Sequence, residues 1–134
     1  MKYADILVGA TFSFEKEISR EEVLRFAEIS GDFNKLHIDE AFGKTTRFGK
    51  NVVHGMLCGS LFSQIVGMYC PGENSLYLTQ SLNFKAPVFC GDKVTVCGTV
   101  LGKNDSVNMI TLKTEVIKDN KVVVDGEAKV KVME

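Results

Sequence analysis

Residues 54–72, HGMLCGSLFSQIVGMYCPG, decide the fold of this chain. The run is apolar on nearly every side of a helical projection, so it predicts a helix that begins near His54 or Gly55 and is buried on nearly all sides. The closing letters CPG end it, because proline cannot continue a helix and glycine supplies the turn. Its longest apolar stretch, residues 56–69, is interrupted by glycine, serine and glutamine and is shorter than the ~20 residues that cross a bilayer. A central core helix is therefore predicted.

Beyond this helix the apolar period changes from about 3.6 residues to two, which is typical of strands. Alternating apolar residues mark four runs, within residues 76–84, 94–100, 110–116 and 122–132. Short turns join them, which favours antiparallel pairing. The last run alternates apolar with charged residues, which is typical of a sheet with one face buried and the other exposed to solvent. With a further strand at residues 11–18, the pattern predicts an α+β fold in which an antiparallel sheet of about five strands wraps around the helix.

The segment before the core helix is interpreted from its capping residues. Ser19 and Glu22 match a capping box, and Gly31 is a typical residue just beyond a helix end, so a helix is predicted at residues 20–30. Asp39 is a suitable cap for one or two further helical turns. The stretch between these two elements is predicted to be a loop.

Length and composition set the class of protein. A chain of 134 residues with 45% hydrophobic residues is the size of one domain, residues 1–134. The formal charge of −1 lacks the basic excess of nucleic-acid-binding proteins, and no export signal or membrane span is seen near the N-terminus. The four cysteines form no CxxC pair, so we expect reduced thiols in a cytoplasmic protein. Neither nucleic acid nor membrane is expected as a partner.

Only two histidines occur, His37 and His54, and the first shares a short segment with Asp32 and Asn34. Acid–base reactions that activate water and build up charge on an oxygen need a base, an acid and N–H donors for that oxygen. Asp and His suit the proton transfers, and the free N–H groups at the start of the core helix, near Gly55, suit the oxygen. Asparagine at such a position is more often a turn residue than a ligand.

Spacing alone leaves other roles open for these residues. Asp32 is also a residue type that stabilises turns, and His37 is compatible with a half-buried structural histidine. His54 suits a capping or lining position at the helix start, and Ser63 a small residue on a crowded helix face. A metal site that adds Asp39 to the aspartate and histidine has one convincing nitrogen ligand and no thiolate pair, which disfavours it.

Three runs resemble the MaoC-like, (R)-specific enoyl-CoA hydratases, the type 2 hydratases. Residues 26–37, FAEISGDFNKLH, resemble a family signature in which a glycine–aspartate step precedes an asparagine two residues on and a histidine five residues on. Residues 53–57, VHGML, resemble the entry to the family's central helix, and residues 77–88, YLTQSLNFKAPV, resemble a later family segment. The similarity covers nearly the whole chain and is nearest to short single-domain bacterial hydratases linked to polyhydroxyalkanoate synthesis.

The resemblance implies a homodimer with the hot-dog fold and reversible syn hydration of a short-chain, crotonyl-CoA-type trans-2-enoyl-CoA to the (R)-3-hydroxyacyl-CoA. It implies that Asp32 and His37 jointly activate one water, with support from Asn34. It further implies that Ser63 lies near the catalytic carboxylate and that the Gly55 N–H faces the thioester oxygen. No metal or redox cofactor is implied.

One position departs from the family pattern, and two rival functions stay open. Lys35 stands where the family usually has proline, so the loop loses a stiffening residue. The rivals are an acyl-CoA thioesterase on the same fold and a non-catalytic acyl-CoA-binding domain. Many such thioesterases carry a working carboxylate on the buried helix, whereas residues 56–69 contain no Asp, Glu or His. Arg47 and Lys85 are the candidates for contacts with the CoA phosphates.

Overall fold

A six-stranded antiparallel sheet forms the framework of the computed structural model, which describes residues 1–134. The strands are β1 (Thr11–Glu17), β2 (Ser75–Gln80), β3 (Asn83–Phe84), β4 (Lys93–Asn104), β5 (Met109–Lys118) and β6 (Lys121–Val132). Their spatial order is β1-β4-β5-β6-β2, and β3 also pairs with β6. The strands β4, β5 and β6 follow one another through short turns, as the sequence predicted.

The helices occupy the chain on either side of β1 and before β2. They are a 3₁₀ turn (Tyr3–Asp5), α1 (Arg20–Ser30), α2 (Lys35–Ile38), α3 (Glu40–Thr45), α4 (Gly55–Ser60), α5 (Phe62–Gln64) and a π-helical turn (Ile65–Tyr69). The last three are consecutive and form the predicted core helix. None of the helices combines the length and the apolar character needed to span a membrane.

The sheet curves around the core helix, and this confirms the predicted α+β, hot-dog arrangement. Phe62, Ile65 and Val66 on the helix are at most 1% exposed, and they face the buried side of the sheet. Gly98 in β4 allows the close approach, since an added Cβ there would lie 2.6 Å from Ile65 Cγ2. The buried strand residues on this side are mostly valine, such as Val96, which pack well on a pleated surface.

One side of the core helix is exposed, so the prediction that it is buried on nearly all sides is wrong for the single chain. Met56 is 58% exposed and Met68 is 77% exposed. Ser60, Ser63 and Gln64 between them are exposed as well. The sheet covers a helix from one side only, and nothing else in the chain packs against the opposite side. We call these five residues the open helix face.

The strand predicted within residues 76–84 is two strands, β2 and β3, because the chain leaves the sheet between them. At the break, the Ser81 carbonyl oxygen lies only 1.8 Å from the position of a Cβ on Gly126, so the approach requires glycine in β6. Leu82 then turns toward the core helix, where an added Cβ on Gly59 would be 2.9 Å from its Cδ1. The break thus directs residues 82–84 onto the start of the helix.

The N-terminal caps agree with the sequence prediction, and one short helix was missed. Ser19 and Glu22 form both hydrogen bonds of a capping box at α1. Asp39 caps α3 through the Phe42 N–H. The predicted loop beyond Ser30, however, contains the four-residue helix α2. Such a short helix has no apolar period to reveal it, and only its cap could have predicted it.

Candidate active site

Polar side chains determine the path of the loop that carries Asp32 between α1 and α2. Gly31 ends α1 in the left-handed region, with φ 76°. The Asp32 N–H donates to Ser30 Oγ at 3.1 Å, and Asp32 Oδ1 accepts from the Asn34 N–H at 3.1 Å. Asn34 Oδ1 accepts from the Leu36 N–H at 2.9 Å and caps α2. Both side chains therefore stabilise turns, and the turn leaves Asp32 Oδ2 unused.

His37 lies on α2 with its ring turned toward this unused oxygen. Its Nδ1 lies 2.7 Å from the Val52 carbonyl oxygen. Because a carbonyl only accepts, Nδ1 carries the proton, and Nε2 of the neutral ring is an acceptor. His37 Nε2 is 3.8 Å from Asp32 Oδ2, which is too long for a direct hydrogen bond. Two hydrogen bonds of about 2.8 Å to one shared water would span this gap.

The second histidine, His54, lies behind the first at the N-cap position of α4 and is 2% exposed. Its Nε2 lies 3.0 Å from the Asp32 carbonyl oxygen. Its ring stacks on the His37 ring, with centroids 4.0 Å apart and planes at 28°. The side chain makes no capping hydrogen bond to the helix. Of the two structural roles that the sequence left open, His54 therefore lines the site and does not cap the helix.

The histidine stack bears on whether these residues could share a metal ion. Asp32, His37 and His54 offer ligand atoms within 4.8 Å of one another. The lone pair of an imidazole nitrogen lies in the plane of its ring. In two stacked rings the lone pairs therefore run side by side and do not converge on one metal ion. Asp39, which the sequence considered as a third ligand, instead caps α3 through a 3.0 Å bond from the Phe42 N–H. The arrangement suits proton transfer better than metal binding.

Asp32 and His37 form part of the wall of a cavity of about 450 Å³. This volume lies in the range of sites for small organic molecules. Most of the remaining wall is apolar and suits the hydrocarbon part of a ligand. The apolar lining includes Val52, Val53, Phe84, Ala86, Val88 and Val124.

Two cations lie at the same cavity. Lys85 lines it and is paired with Asp125, with Nζ 2.8 Å from Oδ2. Arg47 also lines it, and its guanidinium lies 4.9 Å from the centre of the Phe48 ring. These are the two residues that the sequence named for phosphate contacts.

Gly55, the first residue of α4, brings the helix backbone to the cavity surface beside Phe84. An added Cβ at Gly55 would lie 2.8 Å from Phe84 Cδ1, so the ring packs directly on the glycine. The N–H groups of the first helical turn have no acceptor within the helix. The missing side chain thus leaves a backbone donor at the cavity with an aromatic wall next to it. Phe84 was not predicted as a site residue, and only its place in the run 77–88 pointed to it.

Cys58 is the one thiol at the cavity, and it is unsuited to nucleophilic attack. Burial raises the pKa of Cys58 to about 12, so the thiolate is disfavoured near neutral pH. All four cysteines are free. The chemistry of this cavity therefore rests on the carboxylate and the imidazole.

Ser63 does not reach this cavity within one chain. It is exposed on the open helix face and is absent from the cavity lining. Asn34 is also exposed and contacts the loop backbone, as described above. The structure thus brings Asp32, His37 and Gly55 to one cavity, adds His54 to them, and leaves Ser63 outside.

Known proteins resemble this chain over most of its length. A sequence profile of the MaoC like domain matches residues 6–122. The chain is 43% identical over 132 residues to the (R)-specific enoyl-CoA hydratase of Aeromonas caviae, covering 98% of each chain. It is 40% identical over 130 residues to the 3-hydroxybutyryl-CoA dehydratase of Methylorubrum extorquens, covering 97% of this chain and 83% of the relative.

Solved structures extend the similarity to three dimensions. The (R)-hydratase from A. caviae involved in polyhydroxyalkanoate biosynthesis matches with a TM-score of 0.93 at 43% identity, over 96% of this chain and 98% of the other. An R-hydratase from Pseudomonas aeruginosa in its unliganded form matches with a TM-score of 0.95 at 37% identity, over 99% and 86%. With a matching profile, relatives of this identity and full-length structural agreement, the chain belongs to the MaoC-like domain family.

Proposed function

We propose that this protein is an (R)-specific enoyl-CoA hydratase, a lyase that adds water reversibly to trans-2-enoyl-CoA. The substrate is of the short-chain, crotonyl-CoA type, and syn addition gives the (R)-3-hydroxyacyl-CoA. The observation that carries the proposal is the 3.8 Å gap between His37 Nε2 and Asp32 Oδ2 in the wall of a largely apolar cavity. The names of the A. caviae and M. extorquens relatives point to the same chemistry.

The proton transfers follow from the hydrogen bonds of the pair. The Val52 carbonyl holds the proton on His37 Nδ1, so Nε2 accepts a proton from the shared water as its oxygen attacks C3 of the enoyl group. Asp32 Oδ2 accepts the second O–H and orients the water. The electrons of the double bond move to the thioester oxygen, and the proton on Nε2 then passes to C2 on the same face. Such acid–base catalysis is typically worth ~10² to 10⁴ in rate.

The thioester oxygen gains negative charge during the attack and needs a donor. The Gly55 N–H is the donor that we propose, because it belongs to the first turn of α4 and lines the cavity. A preorganised backbone N–H in a site that excludes water stabilises such an oxyanion strongly. The helix dipole adds to this effect at a helix N-terminus.

Four more residues have proposed parts in the site. Arg47 and Lys85 are proposed to meet the CoA phosphates, since both are cationic and line the cavity. Asn34 is proposed to support the catalytic pair through the loop, where its side chain caps α2. Ser63 keeps its proposed place near the carboxylate only if a second chain brings it there.

The active form that we propose is a homodimer. The open helix face exposes Met56 and Met68, and β2 is an edge strand with Leu76 and Leu78 exposed. Exposed edge strands and exposed apolar residues are common at the interfaces between protein chains. A second copy of the chain that covers this helix face would bury both methionines.

The cellular setting that we propose is the cytoplasm, with residues 1–134 acting as a single domain. The four free cysteines suit a reducing compartment. A role in polyhydroxyalkanoate synthesis is proposed by analogy with the A. caviae (R)-hydratase, which is involved in that biosynthesis. Running in reverse, the same site would dehydrate a 3-hydroxyacyl-CoA.

One assay separates the proposal from its rivals. The protein is mixed with crotonyl-CoA, and the loss of enoyl absorbance is followed while free thiol is measured in parallel. Hydration removes absorbance without releasing thiol, and the product is the (R) isomer on chiral analysis. Release of thiol would instead identify a thioesterase, and the absence of both changes would identify a binding domain. Either of these results overturns the proposal.

A further inference from the structure

His54 stands between the two halves of the proposed site, although hydration chemistry as described above gives it no task. Its main chain begins α4, since its carbonyl oxygen accepts from the N–H groups of Leu57 and Cys58 at 3.1 and 3.2 Å. Its side chain turns away from the helix to the loop, with Nε2 3.0 Å from the Asp32 carbonyl oxygen. One residue thus connects the helix that begins with Gly55 to the loop that carries the carboxylate.

The hydrogen bond determines the tautomer of His54. The Asp32 carbonyl oxygen can only accept, so Nε2 carries the proton. The other ring nitrogen, Nδ1, is buried and has no hydrogen-bond partner. A second proton on Nδ1 would place a buried N–H where no acceptor exists, and such a donor is costly. The singly protonated Nε2–H ring is therefore the form that matches the contacts.

Two aromatic contacts hold this ring in one plane. Phe26 on α1 packs against it edge-on, with centroids 5.0 Å apart and planes at 62°. The His37 ring stacks on it at 4.0 Å and 28°. The His37 ring has one hydrogen bond to the backbone, from Nδ1 to the Val52 carbonyl. This single bond does not stop the ring from rotating about the Nδ1···O direction, so packing must restrict that rotation. The stack supplies that restriction.

We infer that His54 is a positioning residue that sets the distance and angle between Asp32 and His37. Its Nε2–H holds the Asp32 main chain, and its ring face holds the His37 imidazole, so the two groups meet the shared water in one geometry. This inference rests on the proposed hydratase function. His54 transfers no proton in the proposed reaction, in which His37 and Asp32 contact the water.

Two substitutions separate the contacts of His54. His54→Phe keeps a flat ring for the stack and removes the donor. His54→Gln keeps an N–H at a similar reach from the main chain and removes the ring. We expect His54→Phe to lower kcat for crotonyl-CoA hydration by about 10- to 100-fold, because a misplacement of about 1 Å has effects of that size. KM should change little, and His54→Gln should retain more of the wild-type kcat.

The same experiment includes a measurement on the unaltered protein. Proton–nitrogen correlation spectra of the two histidine rings report which nitrogen is protonated. We expect the Nε2–H form for His54 and the Nδ1–H form for His37 at neutral pH, together with the kcat loss in His54→Phe. An Nδ1–H form for His54, or a wild-type kcat in His54→Phe, overturns the inference. An unaltered protein that does not hydrate crotonyl-CoA overturns the proposed function instead, and the spectra then still decide the ring geometry.

Discussion

Asp32 uses its two carboxylate oxygens for different purposes. Oδ1 accepts the Asn34 N–H that shapes the turn, and Oδ2 faces His37 across 3.8 Å. The Asp32 side chain can therefore stabilise the turn and also take part in proton transfer. Substitution can separate them, because an amide keeps one acceptor oxygen and loses the other.

We expect Asp32→Asn to lower the rate of crotonyl-CoA hydration by about 10² to 10⁴ with little change in melting temperature. The amide oxygen can still accept from the Asn34 N–H, while an NH₂ group replaces the oxygen that orients water. His37→Ala should lose a comparable rate. The matched control is Asp39→Asn, since asparagine also caps helices well and α3 lies outside the cavity. A near-native rate in Asp32→Asn would remove the residue from the mechanism.

Gly55 offers a second test at the scale of one residue. An added Cβ would lie 2.8 Å from Phe84 Cδ1, so the ring, which lines the cavity, must shift. We expect Gly55→Ala to lower kcat/KM by about 10- to 100-fold, in line with the cost of a small misplacement near a reacting group. Gly102→Ala is the control, because nothing lies within 4 Å of a Cβ there. Equal rates for the two variants would show that the close packing of Phe84 is irrelevant to turnover.

Helix α1 carries a charge effect that can be isolated by pH. Glu22 completes the capping box, and its contact with Lys16 Nζ, 2.5 Å from Oε2, together with the Ser19 N–H lowers the pKa of Glu22 below its usual 4.5. Glu22→Gln keeps the box pattern and removes the charge. At neutral pH the variant should be less stable by at most about 1 kcal/mol, because the pair is partly exposed.

The sign of the pH dependence follows from the lowered pKa of Glu22. Protonation is harder in the folded chain than in the unfolded chain, so the stabilisation is complete above the usual value of 4.5 and is lost as the pH falls through the lower folded value. Urea unfolding of both proteins should give a constant difference from about pH 7 to 5.5 that disappears in more acid solution. A difference that grows on acidification would contradict this account of the pair.

Elements defined by local signals were predicted well, and those defined by distant contacts were not. The helix at residues 20–30 was placed correctly because its cap and its glycine stop lie within the segment. The break between β2 and β3 depends on Gly126, which lies 45 residues beyond Ser81 and admits its carbonyl. Helix α2 has only four residues, too few for a periodic pattern.

The same distinction holds for the candidate site of the whole molecule. Residue types and the resemblance were enough to select Asp32 and His37, since both fall within one short run. Val52, the acceptor for His37, lies 15 residues after His37, and His54, which bonds to the Asp32 carbonyl, lies 22 residues after Asp32. The fold alone brings these residues together. The sequence placed His54 at the start of the core helix, but it did not show that its side chain reaches the Asp32 carbonyl and the His37 ring.

The open helix face gives the last prediction, at the scale of the assembly. Met68 is 77% exposed in the single chain, so a homodimer that covers this face would bury it. Met68→Glu would then place a charge in an apolar interface, whose desolvation is costly without a partner. Sedimentation should find a dimer for the unaltered protein and a shift toward monomer for Met68→Glu. Val107→Glu is the control, because Val107 is 47% exposed in the turn between β4 and β5 and away from the helix. A monomeric unaltered protein, or a Met68→Glu variant that remains a dimer, would contradict a dimer formed through the open helix face. Ser63, which lies on that face, would then not be brought near a cavity by a second chain.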